Sequence, residues 1–508
     1  MNVEEMIAEG NTAVQALFLF ARRGARKLQA HEAEKGIFKL LLPIGQAALK
    51  AYFAERGPGD VGPAIKRPGE PIFNREKQLR ERDYFSIFGK FDVPRTCYRT
   101  PGLPGVFPLD AQVNLPERCY SYFLQEWMTL LEVEQPFKES AGFFEDTFDL
   151  SLSESVLIDV AGEAHQEYDS FYEQNPPPVE EDKEKIFAVS FDGKGVPMIK
   201  KEAAMIKKEA AKLKAKLSPG EKKQKKKEAL VGVCYTVDQK QRTAEDVAER
   251  LVDPEAARKR EEQEGRKNDS PKAENVRRMA SLKRKKEQVV EAIKADAERR
   301  DPEHRLHLAI LLDGALSLWK LVVKRFSEWK NIYLVLDIIH VVGYLWVAAN
   351  ALFKVDTKKG AKQSKIWVKE KLAEILRGKV GYVIGALRQI LTKRKLSKSK
   401  QKALKKVIKY FKNHQRWMKY DKYLAAGLPI ATGVVESACG SLPKHRMEGS
   451  GKRWSIAGAE AILLLRSLKK SNNNDLRAYW HYRAQQVRAR RYANAAQYRP
   501  VAPLKLVA

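Results

Sequence analysis

Residues 186–200 read IFAVSFDGKGVPMIK, an apolar run over 186–191 followed by Asp192-Gly193. An apolar run that short, closed by a turn signal, predicts a buried strand. The scheme returns twice. RLHLAILLDGALSLWKLVVKRF at 305–326 predicts a strand over 307–312, then Asp313-Gly314, then a helix carrying Leu316, Trp319, Leu321 and Val322. NIYLVLDIIHVVGYLWVAANALF at 331–353 predicts a strand over 332–336, then Asp337, then a helix. EALVGVCYTVDQKQR at 228–242 is strand-like as well. Strands interleaved with helices predict an α/β fold. The expected form is a mixed sheet with flanking helices over 186–470, interrupted by helical insertions near 198–227, 244–304 and 354–412.

Asp192, Asp313 and Asp337 are each expected to end a strand. The carboxyl edge of a sheet is where α/β folds bind ligands. Cleavage of a phosphodiester with divalent metal needs two or more carboxylates converging, so that two hard cations activate the nucleophile and stabilise the leaving oxygen. Mg²⁺ takes a few carboxylates and keeps waters and substrate phosphates as its other ligands. Asp192 and Asp313 make a chemically sensible pair. The third carboxylate is expected from a packed helix, and Glu436 in ATGVVESACG is the best placed. An Asp-Gly pair is also a turn signal, so the longer words and their order carry the specificity.

The whole chain has 508 residues, which at roughly 150 per domain suggests about three domains. Lys and Arg number 94 against 64 Asp and Glu, a net charge of +30. An excess of that size points to a polyanion, with nucleic acid first and an anionic membrane surface second. A hydrophobic fraction of 44% excludes a wholly disordered chain. Cys97, Cys119, Cys234 and Cys439 are too few for a disulfide framework, and no two of them form a Cys-x-x-Cys pair. The N-terminal apolar stretch lacks the flanks of a signal peptide. The apolar run around 332–352 contains Asp337 and His340, so no membrane span is expected there. A reduced, cytoplasmic protein fits this pattern.

Outside the core, residues 1–83 read as mainly helical and end in a Pro/Gly-rich patch. Residues 84–174 begin with YFSIFGKFDVPRTCYRT, whose alternation predicts a small β-ribbon. Amphipathic helices follow, the last opened by Ser151 or Ser153 as N-cap. A short helix, a turn and a longer helix resemble a helix-turn-helix. A packing hairpin is the plainer reading, and the local acidity argues against that second helix alone lying on phosphates. NPPPVEEDKEK at 175–185 is the linker, since three prolines cannot continue a helix. MIKKEAA occurs in tandem at 198–204 and 205–211 within a Lys-rich run, either a solvated face or a basic arm along DNA. Residues 471–508 form a basic tail.

FDGKGVPM, LLDGALSLW, VLDIIHVVGYLW and YLAAGLPIATGVVESAC with RMEGSGKRWSIAGAEAILLLRSL resemble the ISKra-type insertion-sequence transposases. These in turn resemble the Mutator-like DDE transposases with an RNase H-like core. The resemblance spans roughly 84–480, and its C-terminal word is the most specific part. It implies that Asp192, Asp313 and Glu436 are catalytic and bind two Mg²⁺ ions per active site, with Mn²⁺ as a substitute. It also implies that Asp337 and His340, which fit an Asp-x-x-His motif, play a supporting part. Asp337 is the alternative second ligand, and a satisfied core histidine is the alternative for His340. Only Cys97 remains where relatives carry a cysteine pair, so zinc is not expected near the ribbon. In KHRMEGSGKRW, Lys444, Arg446, Lys452 and Arg453 suit DNA phosphates and Trp454 an unpaired base; a solvated turn is the alternative. The implied activity is DNA transposition: metal-dependent hydrolysis frees 3′-hydroxyls at the element ends, which then attack target DNA. The implied partner is double-stranded DNA, the expected assembly at least a homodimer, and the expected setting the bacterial cytoplasm with the protein held on the nucleoid by DNA. A nuclease without strand transfer and an inactive DNA-binding descendant are the rival readings.

Overall fold

Strand β6 (Ile186–Pro197) runs on through Asp192 instead of ending there. The computed structural model describes residues 2–212, 225–265, 271–449, 451–471 and 475–501. It is a mixed α/β structure that divides into two compact units, Met1–Phe171 with Arg477–Ala508, and Tyr172–Leu476.

In the first unit, α1 (Val3–Gly24) and α2 (Ala30–Arg56) pair, with Lys50 3.0 Å from Glu9. Acidic Glu4 and Glu5 open α1, and basic Arg22 and Arg23 close it, as the helix dipole favours. Among the described residues α2 alone is long and apolar enough, by length and composition, to cross a membrane. The Pro/Gly-rich patch, read only as a separator, contains β1 (Ala64–Lys66), and β2 (Phe73–Arg75) follows it. The expected ribbon forms as an antiparallel pair, β3 (Arg80–Ser86) and β4 (Gly89–Arg95). It starts at Arg80, so the expected boundary between 83 and 84 falls inside a strand. Then β5 (Tyr98–Arg99) joins β2, β1 and Arg499–Pro500 in a small sheet.

Helices α3 (Tyr122–Glu132), α4 (Phe137–Phe148) and α5 (Glu154–Ala164) bury Leu124, Met128, Phe144, Leu157 and Val160 together. Ser153, not Ser151, caps α5, accepting from the Val156 N–H at 3.3 Å. At 11 residues against 12 for α4, α5 is not the longer second helix of the helix-turn-helix expectation. The tail is no loose appendage. Tyr492 donates to the Leu115 carbonyl at 2.7 Å, and the Tyr479 hydroxyl bonds the Ala164 carbonyl.

The second unit continues from β6 through α6 (Lys200–Lys212), β7 (Lys226–Val237), α7 (Ala244–Val252), α8 (Pro254–Gln263), β8 (Glu274–Ser281) and α9 (Lys286–Arg300). Next come β9 (His307–Leu312), α10 (Leu316–Arg325), β10 (Ile332–Leu336) and α11 (Ile338–Leu352). Three basic helices follow, α12 (Lys358–Leu376), α13 (Val380–Lys393) and α14 (Lys398–His414). Then come α15 (Gly433–Cys439) and α16 (Ile456–Lys470), while α17 (Asp475–Arg491) leads into the tail. The five strands form one mixed sheet in the order β10-β9-β6-β7-β8. The pairs β6–β7 and β7–β8 are antiparallel, whereas β6–β9 and β9–β10 are parallel.

Two expected insertions are thereby corrected. Residues 226–227 already belong to β7, and of the Lys-rich run 213–224 lies outside the described residues. Within 244–304, β8 is the edge strand of the core sheet, and α9 buries Val289, Val290, Ile293 and Ala297. Close packing of α9 depends on Gly232 of β7. A Cβ there would meet the Phe191 ring at 2.8 Å and Ile293 at 2.9 Å. The 354–412 stretch is helical as expected, yet it buries Val368, Leu372, Val383, Leu387, Leu404 and Phe411. Its last helix, α14, packs along α11.

Candidate active site

The register of the parallel strands brings the acids together. Phe191 pairs with Leu312, and Leu312 with Leu336. The next residues on the three strands are Asp192, Asp313 and Asp337, so they occupy one row across the sheet. Neighbouring strands lie about 4.8 Å apart, which is the scale needed to share cations. The ladder continues one step on, with the Asp337 N–H donating to the Leu312 carbonyl at 3.0 Å.

The three carboxylates differ in surroundings. Asp192 accepts from the Gly193 N–H at 2.7 Å and from the Cys439 thiol at 3.4 Å. Burial pushes its pKa up and the charge of Asp313 adds to that, while the Gly193 and Cys439 hydrogen bonds and His340 pull it down. Asp313 is half-buried and turns the chain, accepting from the Ala315 N–H at 3.0 Å, while Trp319 Nε1 donates to its carbonyl at 2.7 Å. Asp337 is wholly buried. Its Oδ1 caps α11 through Ile339 N–H at 3.2 Å and also takes Thr432 N–H at 3.1 Å. Its Oδ2 is buried without a hydrogen-bond partner and lies 4.0 Å from His340 Nε2.

Helix α15 brings Glu436 to this row. Thr432, one turn before, donates to Glu436 at 3.4 Å, and Cys439, one turn after, reaches Asp192. Ligand atoms of Asp337, His340 and Glu436 all lie within 4.8 Å of one another, the one such group found among the described residues. Opposite oxygen ligands of Mg²⁺ are about 4.2 Å apart, and the side chains of His340 and Glu436 are exposed and free to adjust. The donor set suits a hard cation, and Asp337 Oδ2, buried without a hydrogen-bond partner, offers it an oxygen. Thus Glu436 meets Asp337 and His340 at ligand range, and Asp192 interacts with Asp313 and His340 beside them.

Sequence reasoning missed four neighbours. Cys439 and Thr432 sit at i+3 and i−4 from Glu436, a helical spacing that flags the same face. Tyr410 and His414 of α14 carried no local signal. The Tyr410 ring packs on Gly314, where a Cβ would meet it at 2.6 Å, and its hydroxyl is buried without a hydrogen-bond partner. Burial, with further contributions from Tyr344, Asp313 and Asp337, pushes the pKa of Tyr410 up. His414 bridges the Tyr410 carbonyl at 2.7 Å and the Gly314 carbonyl at 3.0 Å.

The basic word KHRMEGSGKRW is split by burial. Trp454 is 7% exposed and Arg446 2%. Trp454 forms a bridge to Met198, its N–H reaching the Pro197 carbonyl at 3.0 Å, and the Arg446 guanidinium sits 4.8 Å over its ring. A ring so enclosed packs the end of β6 and is not presented for base stacking, and Arg446 is likewise not presented to phosphate. Lys444 and Arg453 are exposed and Lys452 half-buried, so these three keep a surface for phosphates.

No protein-family model matches the chain, and no curated protein does either.

Proposed function

We propose that the chain is a metal-dependent DNA transposase of the DDE kind. The observation that carries this reading is the row of Asp192, Asp313 and Asp337 at successive strands, joined by Glu436 from α15. A three-stranded antiparallel meander whose first strand is followed on its other side by two parallel strands supports an RNase H-like core. The net charge of +30 supports DNA as the substrate.

Asp192, Asp313 and Glu436 would hold Mg²⁺ or Mn²⁺, and Asp337 Oδ2, within ligand range of Glu436, would share in that work. Two such ions, when bound, supply a water activated at neutral pH and charge stabilisation at the leaving oxygen. The chain's own groups do the rest. Cys439 fixes the orientation of Asp192, and Asp337 anchors both α11 and the segment before α15. His340, tethered near Asp337 and open to solvent, is placed to hydrogen-bond a phosphate oxygen. Lys444, Lys452 and Arg453 hold the flanking backbone. Hydrolysis joins water oxygen to phosphorus and releases the 3′-hydroxyl; that hydroxyl then attacks a target phosphodiester in line and displaces a second 3′-oxygen. Joining two ends calls for at least two copies of the chain, working on DNA in the cytoplasm.

The test is excision and integration of a marker flanked by the DNA that borders the gene. Asp192→Asn, Asp313→Asn and Glu436→Gln are expected to lower it by about 10²–10³-fold, the scale of losing one preorganised electrostatic group. Loss in Asp337→Asn with Asp313→Asn unaffected moves the second ligand to Asp337. Cleavage without joining would leave a nuclease, and binding without cleavage a DNA-binding protein.

A further inference from the structure

Away from the carboxylate row, the chain leaving β7 crosses to α7 over a cavity of about 450 Å³. That lies within the usual range for a small-molecule site, roughly 300–1,000 Å³. Val247, Leu251, Ile338 and Ile430 give it apolar walls, while Lys240, Arg242, Arg250 and Arg260 set positive charge against Asp238, Asp246 and Glu261.

The three arginines are not equivalent. Arg250 bonds Glu261, and Arg260 bonds Asp246 and Glu249. Arg242 has no carboxylate partner among the described residues. Its guanidinium bonds the Leu428 carbonyl, and its Nε is buried without any partner. Burial, with the nearby charge of Arg250, pushes its pKa down, the sign of a cation lacking its counter-charge. Arginine stays protonated in proteins, so the charge cannot be relieved by losing a proton. Arg242 is half-buried with its Nε enclosed and unpaired, beside a cavity of ligand size, and that arrangement suits an anion from outside the chain.

We infer that this cavity binds a small oxoanion, a carboxylate or phosphate carried on an apolar body, with Arg242 as its counter-charge. The apolar walls take the body, and the planar fork of Arg242 takes the oxygens. The inference stands whether or not the carboxylate row cuts DNA. The far wall also adjoins that row: the Ile338 N–H donates to the Ile430 carbonyl at 3.0 Å, and Asp337 and Thr432 are bonded just beyond. A ligand pressing on Ile338 and Ile430 would therefore bear on the segment that carries Asp337 and Glu436.

The experiment is thermal unfolding of the full chain in chloride buffer of fixed ionic strength, with pyrophosphate, citrate or a short DNA duplex added. Wild type is expected to gain about 1–2 °C from the small anions at several times Kd. Arg242→Met is expected to lose that gain. Leu251→Trp, which fills the cavity and keeps the arginine, is expected to lose the gain too, and covers the case in which Arg242→Met does not fold. Equal gains in wild type and both variants, a gain from the duplex alone, or no gain at all would each overturn the assignment.

Discussion

Asp192 is held in a setting that disfavours its charge. Burial and the neighbouring Asp313 raise its pKa from the ordinary 3.8. The protonated form suits the fold, so the contribution of Asp192 is full below the unfolded carboxyl value and is lost as pH climbs through the raised folded value. At neutral pH the ionised group therefore costs stability, the usual mark of a residue kept for function. Asp192→Asn should stabilise the metal-free protein at pH 7 by about 1 kcal/mol. The gain should shrink as pH falls toward about 4. Thermal melts in chelator across that range check it, and equal stability at pH 7 would contradict it. Trp454 makes a contrast with Lys444 and Arg453 at the same scale. Trp454→Ala should cost about 3–5 kcal/mol of stability. Lys444→Ala and Arg453→Ala should leave stability within about 0.5 kcal/mol. Binding isotherms at several salt concentrations should show each flattening the salt dependence of DNA binding by about one unit of slope.

At the scale of elements, what was legible in the sequence depended on whether burial and polarity agreed. Strands β6, β9 and β10 are apolar on both faces because the sheet is covered there, and their runs stood out. The acids on this row were legible for the same reason, since each closes a largely apolar word. Strand β8 was hidden by Arg277 and Arg278. Arg277 is buried, its guanidinium 3.3 Å over the Tyr172 ring and 3.9 Å from Asp296, which also accepts from the Cys234 thiol at 3.1 Å. A charge neutralised by partners distant in sequence cannot be distinguished from a solvated one by local pattern. Tyr410 escaped likewise, since its place beside Asp313 depends on how α14 packs along α11. Because β8 and α9 complete the core, Ile293→Ala should cost about 2–5 kcal/mol. Amides of Val276, Met279 and Ala280 should exchange slowly, near the global rate. Fast exchange across 274–281 would return that stretch to a peripheral insertion.

Across the whole molecule, a sheet edge gathers the acids while the surface carries a large positive excess. The two features make sense together when the substrate is a polyanion and the chemistry needs cations at one row of carboxylates. The most direct test is titration of the full chain with Mn²⁺, followed by calorimetry or by the loss of the free-ion paramagnetic signal. The expected result is saturable binding in wild type, weakened at least about tenfold in Asp192→Asn and in Glu436→Gln, with all variants folded. Binding that is absent in wild type, or unchanged in both variants, would contradict a shared metal site and with it the proposed chemistry.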